Sequence, residues 1–308
     1  MNKADYDLVI IGGGPAGLTA GLYAARARMK VMMLEKVTPG GQVLVTDWIE
    51  NYPGFPEGIS GIDLVQRMTD QAKRFDLVIE SAEVAALDLS QPIKKIILSD
   101  GNTVSTHTMI IATGASPNTL GVPGESRFSG KGVSFCGTCD GPFFRNKVVA
   151  AVGGGDTAVQ ESMFLTKFAS KVYIIHRRNE FRAEKILQER VFANPKIEII
   201  WDSVVTEIKG LSNVEKLGIR NVKTGETREL PVDGCFIWVG TQPNTGFVKN
   251  AVKTDESGFI IADLKMETSV PGVFTAGDVR STPLRQIVTA VGDAAIAVTS
   301  AEHYLENL

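Results

Sequence analysis

Three histidines and three cysteines are all that this 308-residue chain has of either residue. Three cysteines cannot build a disulfide scaffold. A structural zinc site needs four nitrogen or sulfur ligands. Only Cys136 and Cys139 stand close together, while Cys235 sits among Phe236, Ile237 and Trp238 and reads as a small core residue. Zinc is therefore disfavoured, and Cys136-Gly137-Thr138-Cys139 is left with redox exchange as its stronger reading. Excess charge of either sign is also missing: 32 basic and 35 acidic side chains give a net charge of −3, which offers no case for nucleic acid or an anionic membrane as partner. No uninterrupted apolar run reaches the roughly 18 residues of a membrane span. The N-terminus passes from Met1-Asn2-Lys3-Ala4-Asp5 straight into Leu8-Val9-Ile10-Ile11, too short for a secretory core, which predicts a cytoplasmic protein.

Glycine, by contrast, is plentiful, at 31 residues. Several of these fall into a pattern that occurs twice. Residues 7–12 read as a buried parallel strand, followed by Gly12-x-Gly14-x-x-Gly17, a helical segment to about Arg28, and a second strand from Lys30 to Leu34 that ends at Glu35. Later, Lys147 to Val152 reads as a strand, Gly153-x-Gly155-x-x-Ala158 as the turn, a helix runs to about Phe168, and Lys171 to Ile175 is the next strand. Gly17 to Glu35 spans 18 positions, and so does Ala158 to His176. The residue closing the unit is thus an acid in the first copy and His176 in the second.

A further internal match pairs residues 109–119 with 235–245, with the same Gly, Pro, Asn and Thr in step. The glycine motifs are offset by 141 residues and these segments by 126, so the first copy carries 15 more residues between its landmarks; the loop-rich stretch from Thr38 to Gly61 is their natural place. Two such copies predict an α/β fold with two Rossmann-like nucleotide-binding domains. The second is expected to be inserted into the first, since material after Thr245 is still needed to complete a fold. The expected division is 1–116 plus 245–308 for one domain and 117–244 for the other. Pro117-Asn118-Thr119 and Pro243-Asn244-Thr245 would be the two crossings.

Each copy implies its own nucleotide. In the first, N–H groups at the helix start after Gly14 would take a pyrophosphate, and Glu35 would accept from a ribose hydroxyl while repelling a 2′-phosphate, as FAD or NAD requires. In the second, Arg177, Arg178 and Arg182 bring three fixed positive charges to where a 2′-phosphate would sit, which predicts NADPH over NADH. Near the C-terminus, Thr275-Ala-Gly-Asp278 follows apolar Val273-Phe274, so Asp278 at a strand end could bond a ribitol hydroxyl.

Taken together these residues resemble one family, the low-molecular-weight, bacterial-type thioredoxin reductases, from end to end. The resemblance rests on Gly12-Gly-Gly-Pro-Ala-Gly17, Gly40-Gly41-Gln42, Glu50-Asn-Tyr-Pro-Gly54, Ala112-Thr113-Gly114, Cys136-Gly-Thr-Cys-Asp-Gly141, Gly153-Gly-Gly-Asp156, His176-Arg-Arg178 with Arg182, Gly277-Asp278 and Arg285-Gln286. It implies a homodimeric flavoprotein that passes electrons from NADPH through FAD and the Cys136/Cys139 pair to the disulfide of a thioredoxin. It further implies that Cys139 faces the flavin, that Cys136 attacks the partner and that Asp140 is the acid/base. Gly12, Gly14, Ala16, Gly17, Glu35, Gly41, Gln42, Asn51, Thr113, Gly114, Gly277, Asp278, Arg285, Gln286 and Ile287 would surround FAD. Gly155, Asp156, His176, Arg177, Arg178 and Arg182 would hold NADPH.

The residues agree with that chemistry on their own terms. A Cys-x-x-Cys pair lets one thiolate resolve the mixed disulfide formed by the other, and the exchange needs a proton carrier. His176 belongs to the second nucleotide, His107 reads as part of a polar turn, and His303 sits on a terminal helix, so Asp140 is the best placed. Gly137 stands where the family often has alanine, which frees the backbone between the thiols, and Arg280 stands where an acid is frequent. Both the cysteines and the second glycine motif lie in the inserted segment, so rotation at 117–119 and 243–245 would present them to one flavin in turn. The alternative is an NADPH-dependent flavoprotein reductase of another carrier, ferredoxin-type or thioredoxin-like, against which the cysteine pair argues.

Overall fold

Leu8, Val9, Ile10 and Ile11 leave their strand without a polar face, so it must be covered on both sides. The computed structural model, which describes residues 4–46, 49, 51–248 and 251–308, places all four in β1 (Tyr6–Ile11), inside a seven-stranded sheet. Met1 to Lys3, and Glu50 of the Glu-Asn-Tyr-Pro-Gly motif, lie outside the described residues. Helix α1 (Pro15–Arg26) comes next, then β2 (Val31–Glu35), α2 (Gly61–Lys73), β3 (Val78–Ser81), the antiparallel pair β4 (Val84–Asp88) and β5 (Lys94–Leu98), and β6 (Thr103–Ile111). The sheet order is β3-β2-β1-β6-β5-β4, with β1, β2, β3 and β6 parallel.

Helix α1 stops at Arg26, two residues before the expected end, because Arg28 takes a left-handed φ of 61°. A second difference concerns His107, which lies within β6 and not in a turn before it. The threonines around it mislead by composition: Thr106 and Thr108 are fully buried, with their hydroxyls donated to the carbonyls of Thr108 and Asp7 at 2.7 Å.

The chain divides into two compact units, Met1–Ser116 with Gln242–Leu308, and Pro117–Thr241. It leaves the first through β7 (Ala115–Pro117). In the second unit, β8 (Val133–Ser134), the short helix α3 (Gly137–Asp140), β9 (Val148–Gly153), α4 (Asp156–Leu165), β10 (Lys171–Ile175), α5 (Lys185–Phe192) and β11 (Ile197–Ile200) lead into an antiparallel sheet. That sheet is β12 (Ser203–Lys209), β13 (Lys216–Asn221) and β14 (Thr227–Pro231), and β15 (Gly234–Trp238) returns to the parallel one. The parallel order is β11-β10-β9-β15-β8. The chain then re-enters the first unit through β16 (Thr241–Pro243), which pairs with β7, and adds β17 (Val273–Thr275) beside β6 before the last helix, α6 (Ile287–Glu306).

The two units share one plan, and the copies map strand onto strand. Strands β1, β2, β3 and β6 correspond to β9, β10, β11 and β15. The position beside β6 is filled by β17 and the position beside β15 by β8. One copy therefore takes its last strand from after the insertion, and the other takes it from its own beginning.

Packing fixes where a ligand can lie in the first unit. Ala16, Ala20 and Ala24 of α1 and Ala290, Ala294, Ala297 and Ala301 of α6 are buried in one core cluster, and such small side chains let helices approach closely. Gly17 sits against β1, where an added Cβ would overlap the carbonyl of Gly12, and Gly12 itself needs its φ of 105°. The helix start is thereby held against the end of the strand.

Candidate active site

The first unit contains a cavity of about 590 Å³ at the C-terminal ends of β1, β2 and β6. Gly12, Gly14, Ala16, Glu35, Gly41, Gln42, Thr113, Gly114, Gly277, Asp278, Gln286 and Ile287 all line it. Lys36, Val37, Glu83, Asn244 and Phe247 line it as well, and no motif in the sequence marks them as a group. Gly17 is absent from the lining because its role is the helix–strand contact. Asn51 lies beside the cavity and donates from Nδ2 to Gln286 Oε1 at 3.0 Å. The Arg285 guanidinium sits 4.2 Å from the ring centre of Phe259, and its buried Nε has no hydrogen-bond partner among the described residues.

The cradle fits a dinucleotide. Gly14 caps α1 without a side-chain acceptor for the first N–H groups, and a Cβ on Gly14 would meet nothing within 4 Å, so an anion can come close to the backbone there. At the end of β2, Glu35 Oε2 accepts from Gly13 N–H at 2.6 Å and Oε1 from Val37 N–H at 3.0 Å. Those bonds fix the carboxylate while leaving lone pairs for sugar hydroxyls.

At the far side, the turn carrying Asp278 is held by an ion pair that the sequence did not reveal. Asp293, buried in α6, accepts from Arg280 Nε at 2.6 Å and Nη2 at 2.9 Å and from the Gly277 N–H at 3.1 Å. A bidentate buried pair of this kind positions both partners, and removing one would strand a charge. Arg280, read from the sequence only as a departure from the family, thus anchors the cavity wall. Burial pushes the Asp278 carboxyl up to about 6; Arg285 pulls it down and Asp293 raises it further. A lone acid in the alanine-rich run 290–301 was the available signal for Asp293.

In the second unit, Gly155 caps α4, again without a side-chain acceptor. Asp156 Oδ1 accepts from Glu184 N–H at 2.7 Å, and Arg182 N–H donates to the Gly154 carbonyl at 2.8 Å, which folds the segment 177–184 back over the glycine turn. His176 is buried beside Phe181 and Trp201, packed so tightly on Gly154 that a Cβ there would strike the imidazole. Burial lowers its pKa, the backbone of Glu180 and Gly153 opposes this, and Arg178 and Arg177 lower it further. Its Nε2 has no partner among the described residues, while Arg177, Arg178 and Arg182, on the segment that follows it, are all exposed.

Cys136 and Cys139 form a disulfide, with their Cα atoms 5.3 Å apart. Cys136 is the N-cap of α3: its Sγ accepts from Cys139 N–H at 3.2 Å and lies 3.4 Å from the Thr138 hydroxyl. Asp140 follows directly as the last residue of α3. The preceding backbone is pinned by Ser134, whose Oγ accepts from Cys136 N–H at 3.1 Å, and by Trp238, which donates from Nε1 to the Phe135 carbonyl at 3.1 Å. Cys235 is fully buried in the core, with its thiol pushed up to about 12 by burial. Among the described residues no group of three or more His, Cys, Asp or Glu could hold a metal, and no helix is long and apolar enough to cross a membrane.

Two Rossmann-like folds joined to a Cys-x-x-Cys disulfide define a redox enzyme that links a dinucleotide to a sulfur couple. Residues 6–294 match the family described as pyridine nucleotide-disulphide oxidoreductase. The thioredoxin reductase of Peptoclostridium acidaminophilum is 46% identical over 307 residues, 98% of this chain and 97% of that protein. That of Treponema pallidum is 42% identical over 99% of each chain. The crystal structure of thioredoxin reductase from Streptococcus pyogenes superposes with a TM-score of 0.94 at 48% identity, covering 98% of this chain and 99% of that one. The chain belongs to the pyridine nucleotide-disulphide oxidoreductases and, among them, to the thioredoxin reductases, flavoprotein oxidoreductases that use FAD and NADPH.

Proposed function

We propose that this chain reduces the disulfide of a thioredoxin through Cys136 and Cys139, with FAD in the cavity of the first unit and NADPH on the glycine turn of the second. FAD, when bound, supplies the two electrons taken from NADPH. Gly12, Gly14 and the start of α1 hold its pyrophosphate, Glu35 a ribose, and Asp278, Gln42, Asn51 and Gln286 the remaining polar groups. On the second unit, Gly155 receives the other pyrophosphate, and Arg177, Arg178 and Arg182 around His176 read the 2′-phosphate. The expected domains, 1–116 plus 245–308 for FAD and 117–244 for NADPH and the cysteines, go with this assignment.

The observation that carries the reading is the disulfide at the start of α3 with Cys136 as N-cap. Once it is reduced, a thiolate on Cys136 has the Cys139 N–H and the Thr138 hydroxyl as donors, which favours the charged nucleophile. That thiolate attacks one sulfur of the thioredoxin disulfide and the other leaves, giving a mixed disulfide. Cys139 then attacks Cys136 Sγ, restoring the internal bond and releasing dithiol thioredoxin, with Asp140 relaying the protons. We further propose a cytoplasmic homodimer.

Replacing Cys136 or Cys139 with serine tests the assignment. Thioredoxin reduction should fall by at least a thousandfold while NADPH-to-dye transfer persists, since the dye does not need the dithiol. A serine variant that still reduces thioredoxin would refute it.

A further inference from the structure

One acidic side chain that this route does not use lies against the redox segment. Glu161, on α4, is half-buried, and its carboxylate accepts the N–H groups of Gly137 and Thr138, the first two residues of α3. Burial raises its carboxyl above the usual range, and the two donors partly offset that by favouring the ionised form. The approach is possible because residue 137 has no side chain: a Cβ there would overlap Glu161 Oε2 and come within 3.1 Å of the Trp238 ring. With Trp238 bonded to the Phe135 carbonyl, the backbone on both sides of Cys136 is engaged.

These bonds bear on what reduction leaves behind. Reduction breaks the S–S bond, takes up two electrons and one proton, and leaves one thiol and one thiolate. A thiolate at the N-cap draws on the N–H groups of the first turn. The Cys139 N–H reaches Cys136 Sγ, whereas those of Gly137 and Thr138 bond Glu161. A carboxylate close to the new charge also opposes it, as does Asp140 next to Cys139.

We propose that Glu161 is a positioning residue that makes the Cys136/Cys139 dithiol a stronger reductant, by occupying two backbone donors and placing a negative charge against the turn that must carry a thiolate. The inference rests on the redox reading above.

The test uses the holoenzyme with Glu161→Gln, which keeps an acceptor oxygen and removes the charge. Equilibration in glutathione buffers, read by alkylation and mass, should show the equilibrium constant for reduction rising about tenfold, or ~30 mV for a two-electron couple. The thiolate absorbance should titrate about one pH unit lower in the reduced variant, the same tenfold seen through the proton. Gly137→Ala, whose methyl would push the carboxylate off its donors, should move both quantities in the same direction. A merely structural role would change flavin content or melting and leave the couple where it was. An unmoved couple and thiolate titration in both variants, with wild-type flavin content, overturns the proposal. Absence of any reducible couple at Cys136/Cys139 in the wild type would instead overturn the functional reading, and this inference with it.

Discussion

Asp278 offers the sharpest test of the cavity assignment, because its protonation should be tied to FAD. Without cofactor its carboxyl rises from an ordinary 3.8 to about 6, chiefly by burial. That gap is about a hundredfold in proton affinity, or ~3 kcal/mol as an upper bound. The charged groups facing it are Arg285, which favours the carboxylate, and Asp293, which opposes it and is itself paired with Arg280. A group whose folded pKa is raised binds more protons folded than unfolded, so the stability of the cofactor-free protein should fall as pH rises from about 4 to about 6 and then level off.

Cofactor binding should reverse that preference. A polyol hydroxyl donating to Asp278 favours the ionised form, so binding below about pH 6 must release a proton. At pH 5 about one molecule in ten carries the carboxylate, so the FAD dissociation constant should be about tenfold higher than at pH 7. Fluorescence titration of cofactor-free protein with FAD across pH 5 to 8 measures this directly. Asp278→Asn should bind FAD more weakly at pH 7, with a flat profile down to pH 5. Identical pH slopes in the wild type and the variant would refute the argument, because the titrating group would then lie elsewhere.

Two more outcomes follow from the geometry, beside the cysteine and Glu161 tests already described. Replacing Arg177 and Arg178 with alanine should raise the NADPH KM at least tenfold, or more than about 1.4 kcal/mol, and the NADH KM much less; steady-state kinetics with both donors decide, and equal effects would mean that the arginines do not read a phosphate. Cys235, with its thiol near 12 and no exposed surface, should stay silent, so the reduced native chain should give two thiols with a disulfide reagent and the third only after denaturation.

How much of this was legible in advance depended on how local the signal was. The strand–glycine–helix units stood out because period and turn chemistry lie within about thirty residues. Glu161, Trp238 and Asp293 carried no such mark: each acts on a partner that the fold brings near, and each looks ordinary within its own helix or strand. Strand β8 is two residues long and has no period to read, yet it takes the place in its sheet that β17 takes in the other. At the crossings the sequence showed two copies of Pro-Asn-Thr but not their exchange. Asn244 N–H bonds the Gly114 carbonyl at 3.0 Å, and Asn118 N–H bonds the Gly240 carbonyl at 2.9 Å, so the asparagine of each repeat segment caps the glycine of the other.

That exchange bears on how such a duplicated chain should be read. Where the copies agree, as at these glycines and asparagines, the shared residues do backbone work at the crossings. Where they differ at one structural position, the difference carries the chemistry. Glu35 closes β2 and His176 directly follows β10, the corresponding strand of the other copy, and both press on the middle glycine of the turn, one through a carboxylate bonded to Gly13 and the other through an imidazole packed on Gly154. On the proposed assignment, a carboxylate there would repel a phosphate on the ribose. On the same assignment, a buried imidazole whose pKa is lowered, followed by the exposed Arg177, Arg178 and Arg182, would admit one, and this difference between the copies is what would separate a flavin site from a pyridine nucleotide site.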